Sequence, residues 1–114
     1  MYTHSSDNFK KYCNDELIQI IFQWIDSLNF ERKYSIKTLN SYLTDLLYFS
    51  IFFENHLSEK LSKDLLAKLE IKNFRAWLSS RRKQDLAASS TSRALSCIRS
   101  FFKYLAQNHN LKNN

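Results

Sequence analysis

The stretch SSTSRALSCIRSFFKYL, Ser89 to Leu105, decides the fold. At roughly 100° per residue, Leu95, Ile98, Phe102 and Leu105 fall on one side of a helix, with Phe101 and Ala94 beside them. Arg93, Ser96, Ser100, Lys103 and Gln107 fall on the other, and Arg99 lies at the edge, close to Leu95. The apolar stripe is a core face. The opposite face is small, hydroxylated and basic, and Ser89, Ser90, Thr91 and Arg93 crowd its front end. One of those hydroxyls is expected to cap the helix. The others need a different use. Small hydroxyl residues let a helix approach a surface closely, and helix N-terminal N–H groups together with Ser and Thr hydroxyls bind phosphate oxygens. Arginines reach phosphates or the acceptor edge of guanine in a major groove.

Around this stretch the composition allows only certain folds. With 114 residues, 44% of them hydrophobic and 15% aromatic, the chain is long enough for one domain with a true core. It contains no Gly and no Pro, where average usage would give about 8 and about 6. Left-handed backbone positions must then fall to residues such as Asn or Asp, at a steric cost. Sheets joined by tight hairpins are disfavoured. Phosphate loops, dinucleotide fingerprints and nucleophile elbows are excluded, because each depends on Gly. An all-helical chain can do without either residue.

Three earlier helices are legible. In DELIQIIFQWIDSL, Leu17, Ile20, Ile21, Trp24 and Leu28 recur at helical spacing, and Asp15 and Glu16 suit the positive N-terminal end. Ile18, Phe22 and Ile25 lie off that stripe. A helix apolar on two sides is either deeply buried or presents a second protein surface. Ser35 is a good N-cap for IKTLNSYLTDLLYFSIFF, whose core stripe is Leu39, Tyr42, Leu43, Leu46, Phe49 and Phe53. Lys37, Asn40, Ser41 and Thr44 lie on its opposite face. A charged connection follows, with one or two helical turns around Asp64–Leu69. The next helix, roughly Ile71–Arg82, is expected to bury Phe74, Trp77 and Leu78 and ends in the basic cluster Arg81, Arg82 and Lys83.

The charge is uneven. Residues 1–70 hold 8 Lys/Arg and 10 Asp/Glu, whereas residues 71–114 hold 9 Lys/Arg and Asp85 alone. A balance of +8 in the second segment suggests a polyanionic partner, with a solubilising surface as the plainer alternative. Chemistry of its own is not indicated. His4, His56 and His109 are scattered, with no metal or triad spacing. Asp45, Glu54 and Asp64 form no acid/base pair and read as surface charges or helix caps, and Cys97 reads as semi-buried filler. No metal site or cofactor is expected. Cys13 and Cys97 form no paired motif, nothing resembles a secretion signal, and no apolar run reaches a membrane span of about 20 residues. The cytoplasm is the expected compartment. Residues 1–14 read as a flexible, polar N-terminal arm.

In order, these pieces resemble the N-terminal core-binding domain of Xer-type tyrosine recombinases, the SAM-like domain of phage integrases. The family pattern places a Ser/Thr-rich helix on Ser35, Thr38, Leu39, Tyr42, Asp45 and Leu46. A second motif falls on Phe74, Arg75, Trp77 and Leu78. A third, long motif falls on Ser90, Arg93, Leu95, Ser96, Ile98, Arg99, Ser100, Phe101, Phe102, Tyr104 and Leu105. The similarity runs from about Asp15 to Asn114. Two departures stand out: Leu43 and Thr44 follow the tyrosine where members often carry basic residues, and Asp85 stands where many place Gly.

The resemblance implies a four-helix orthogonal bundle over residues 15–110, clamping one face of a double-stranded recombination half-site through its second and fourth long helices. Residues 111–114 would begin a linker to a catalytic domain outside this chain, so the chain is expected not to be an enzyme on its own. It would be an excised domain, a split gene product or a truncated recombinase. The carry-over assigns DNA contacts to Lys37, Thr38, Ser41 and Thr44 on the second helix and to Ser90, Thr91, Arg93 and Arg99 on the fourth. Arg81, Arg82 and Lys83 would touch phosphates from the loop between the last two helices. The first helix would meet a second recombinase protomer. A helical protein-interaction module is the competing expectation, resting on the two-sided first helix. A helix-turn-helix regulator is disfavoured by the long charged connection after Phe53.

Overall fold

The computed structural model describes residues 2–112 and is all-helical, with one isolated parallel bridge, Cys13 to Leu61, as the β feature among the described residues. Six helices follow in order: α1 (Ser6–Phe9), α2 (Asp15–Phe30), α3 (Ile36–Leu57), α4 (Lys63–Lys68), α5 (Ile71–Lys83) and α6 (Ala88–His109). The four long ones are those expected from periodicity. The chain forms two compact units, one up to Ser62 and one from Lys63 on.

In the first unit, both long helices start on a side-chain cap. The Asn14 side chain accepts a hydrogen bond from the Leu17 N–H at 2.9 Å, opening α2. Ser35 opens α3 as expected, accepting from the Thr38 N–H at 3.2 Å. Each such cap is worth about 1 kcal/mol. α2 and α3 pack through Trp24, whose ring stacks on Tyr42 with centroids 6.1 Å apart, while Tyr34 meets Tyr42 edge-on. Leu39, Leu43, Leu46, Phe49 and Phe53 complete the α3 stripe, all buried.

The two faces of α2 resolve in favour of burial. Ile18 and Ile25 are buried along with the main stripe, and Phe22 lies against Phe9 with rings nearly perpendicular and centroids 6.0 Å apart. Phe9 belongs to α1, inside the segment expected to be a flexible arm. That segment places Phe9 and Cys13 in the core, at 0% and 1% exposure. Their signal is weak because two apolar residues four apart in a polar stretch make too short a stripe to read. The arm is also clipped by backbone: Leu61 N–H donates to the Tyr12 carbonyl and Asn14 N–H to the Leu61 carbonyl, both at 2.8 Å. Met1 lies outside the described residues.

The second unit has a leaner core of Leu66, Leu69, Trp77, Ala94, Cys97, Ile98, Phe101, Leu105 and Leu111. On α5, Trp77 and Arg81 are buried, whereas Phe74 and Leu78, expected inside, are half-buried. Phe74 instead meets Phe102 edge-on at 5.7 Å on the rim. Leu111, read as the start of a linker, is buried, and its N–H donates to the Leu105 carbonyl. Asn113 and Asn114 lie outside the described residues.

Without Gly, the left-handed backbone positions fall to Lys33, Ser58, Asp85 and Asn110, with φ between 55° and 59°. Asp and Asn tolerate this region through short polar side chains, whereas Lys and Ser have no such relief. Asp85 is the position where the family pattern often has Gly.

Candidate nucleic-acid interface

α6 carries the decisive stretch, but its buried stripe is rotated from the expected one. Ala94, Cys97, Ile98, Phe101 and Leu105 are buried, while Leu95 and Phe102 are half-buried. The small side chains of Ala94 and Cys97 allow close packing, so they go inside ahead of larger apolar neighbours. Cys97, expected to be semi-buried, is fully buried. The rotation turns the exposed face toward Ser89, Ser92, Ser96, Arg99, Lys103 and Gln107, with Arg93 also exposed. Arg99 thereby moves from the edge into the polar face. Lys103 lies on that face as expected, and Ser92 joins it; the signal that would have found Ser92 is the Ala94/Cys97 spacing.

The N-terminus of α6 also differs from expectation. The helix starts at Ala88, its N-cap is Ala87, and no side chain caps it. Ser89, Ser90 and Thr91 therefore sit within the first turn. The Ser90 and Thr91 hydroxyls accept hydrogen bonds from Arg81, whose Nη2 and Nε lie 3.2 Å from them. Arg81 itself is 7% exposed, with its guanidinium 5.8 Å from the Trp77 ring centroid. It is not the exposed loop cation the basic cluster suggested. Arg82 and Lys83 are exposed, as is Asp85 in the corner between α5 and α6.

On α3, Lys37 is exposed, and Thr38, Ser41 and Thr44 are half-buried. The Thr38 hydroxyl takes a hydrogen bond from the Ser35 hydroxyl at the cap, at 3.0 Å. The Thr44 hydroxyl donates to the Asn40 carbonyl and meets the His4 ring Nε2 at 2.9 Å. The Thr3 N–H donates to the Asn40 side chain at 3.0 Å. The N-terminal segment thus lies against one edge of the α3 polar face, which sequence periodicity cannot reveal. Asp45, read as a surface charge or cap, is 3% exposed.

Among the described residues, no group of His, Cys, Asp or Glu could hold a metal ion, and no helix is long and apolar enough to cross a membrane. Cys13 and Cys97 are both buried, and neither is in a disulfide. Burial pushes the Cys13 thiol up to about 11, against a smaller lowering influence from Ser50. A thiol so protonated at neutral pH is a poor nucleophile.

An all-helical module with a basic, hydroxyl-rich helix face is of a class suited to backbone recognition of nucleic acid. The chain belongs to the phage integrase N-terminal SAM-like domain family, which it matches over residues 21–109. It is 32% identical over 98 residues to the tyrosine recombinase XerC of Rickettsia bellii (strain OSU 85-389), covering 86% of this chain and 32% of the relative. It is 37% identical over 89 residues to the tyrosine recombinase XerC of Bradyrhizobium diazoefficiens, covering 78% of this chain and 28% of the relative. The chain thus spans about a third of the length of the curated relatives it matches. No solved structure matches it.

Proposed function

We propose that this chain is a DNA-binding core-binding domain of a cytoplasmic tyrosine recombinase, engaging a double-stranded recombination half-site through α3 and α6 and performing no catalysis itself. The observation that carries this reading is the exposed face of α6. Arg93, Arg99 and Lys103 stand among serines there, in a segment whose sole acid is Asp85. Small hydroxyl residues permit close approach, the cations neutralise phosphates, and the uncapped first turn leaves N–H groups for phosphate oxygens. Lys37 and Ser41 on α3, and Arg82 and Lys83 at the end of α5, extend the set; Thr38 and Thr44 contribute through hydroxyls that also serve the cap and the N-terminal segment. Of the second apolar face of α2, which would favour a protein-interaction module, Ile18 and Ile25 are buried and Phe22 is half-buried. Phe30 at the end of α2 remains 76% exposed and is the residue through which a second protomer would be met.

The test is fluorescence anisotropy of the chain with a Xer-type half-site duplex and a scrambled duplex across a salt series. The expected result is tighter binding to the half-site, weakening steeply with salt as counterions are released. Absence of binding to either duplex at low salt overturns the reading.

A further inference from the structure

Arg81 is a cation placed where burial is expensive, and its bonds go to neutral groups. At 7% exposure it has given up most of its hydration. The partners it has gained are the Ser90 and Thr91 hydroxyls and the face of Trp77, and no carboxylate among the described residues is paired with it. Hydroxyls and a ring recover only part of the desolvation cost of a guanidinium, so stability alone is a poor account of this residue. Its geometry offers another. Arg81 sits in the last turn of α5, whose negative end suits a cation. Its side chain forks to two successive residues in the first turn of α6. Its carbonyl accepts from the Leu86 N–H at 3.3 Å, inside the corner that Asp85 turns with φ 58°. Main chain and side chain of one residue therefore fix both sides of the corner. The turn so fixed has Ala87 as its N-cap and no side-chain cap of its own.

We propose that Arg81 is a positioning residue: it stands in for the missing cap by holding the first turn of α6 against the end of α5, and it does not itself contact phosphate. This rests on the DNA-binding reading, since the turn it holds carries the N–H groups offered to the backbone. A planar fork is required, because a lysine ammonium cannot hold two acceptors in one fixed plane. The neighbours Arg82 and Lys83, exposed on the same helix end, are left to meet phosphates.

Three variants of the full chain test this: Arg81→Gln, Arg81→Lys and the double variant Ser90→Ala/Thr91→Val, which keeps the arginine and removes its acceptors. Half-site affinity is read by anisotropy over a salt series, and hydrogen exchange of the Thr91 amide, the one in the first turn of α6 that donates to a helix carbonyl (that of Ala87), is read without DNA. All three variants are expected to bind roughly tenfold more weakly, the scale of a missing charge-assisted hydrogen bond, with the salt slope of wild type. First-turn exchange is expected to rise in each. Ile98→Val, a packing loss on the same helix, should leave affinity unchanged. A slope in Arg81→Gln lower by about 0.9, the signature of a single phosphate no longer neutralised, overturns the proposal, and so does full affinity in Arg81→Lys. If wild type binds no duplex, the functional reading fails by itself; unchanged exchange in Arg81→Lys then separately removes the clamp.

Discussion

The two units of this chain divide their labour by composition. The first, up to Ser62, holds 6 Lys/Arg against 8 Asp/Glu and buries Trp24, Phe9, Phe49 and Phe53 almost completely. The second holds 11 Lys/Arg against 3 Asp/Glu, and buries small residues such as Ala94 and Cys97 beside its one tryptophan, Trp77. Apolar burial stabilises in proportion to area, whereas clustered cations repel one another and favour an anionic partner. The first unit therefore holds the larger apolar side chains, and the second carries the charge on which the proposed DNA contact rests. Mutations should separate along the same line, with stability falling in one and affinity in the other.

The largest expected effect lies in the first unit. Trp24→Ala removes the ring stacked on Tyr42 and should cost about 3–5 kcal/mol, a large part of the stability of a small domain. Urea denaturation would show the midpoint falling sharply; a shift under about 1 kcal/mol would mean that this core is not where stability resides. A smaller effect of the opposite kind is expected in the second unit. Arg99→Ala with Lys103→Ala, both exposed on α6, should leave the urea midpoint unchanged. The same pair should lower the salt slope of DNA binding by about 2, one for each phosphate that the variant no longer neutralises. An unchanged slope would take both residues out of the interface. The smallest effect sharpens the account of a chain without glycine. Ser58 ends α3 at φ 59°, so Ser58→Gly should raise stability by up to about 1 kcal/mol, read as a few degrees in Tm. A fall in Tm would show that the serine side chain holds that end.

The sequence reading of α3 agrees with the structure in both its start and its buried stripe. Ser35 before a six-residue apolar stripe fixed the start of α3, because cap and period agree. Single events were illegible. Phe9 and Cys13, four positions apart in a polar stretch, make too short a stripe to read, and Phe9 is buried by tertiary packing, with Phe22 as one of its neighbours. Arg81 lies in a run of three cations, and nothing local marks it as the one whose side chain turns inward toward residues nine and ten positions away. Ala94 and Cys97 are small and easily overlooked beside Leu95 and Phe102, yet both are buried, and with them inside Arg99 joins Arg93 on the exposed face. Asp45 was obscured in the same way, a carboxylate on an apolar helix whose burial no period predicts.

The backbone clip at Leu61 has a mechanical consequence. Two hydrogen bonds join residues 12 and 14 to residue 61, so the chain enters and leaves the span containing α2 and α3 at nearly one point. Tension applied from the N-terminal segment on one side and from α4 on the other would load those two bonds first. Until they part, the helices between them lie outside the force path, as a loop closed by its own buckle.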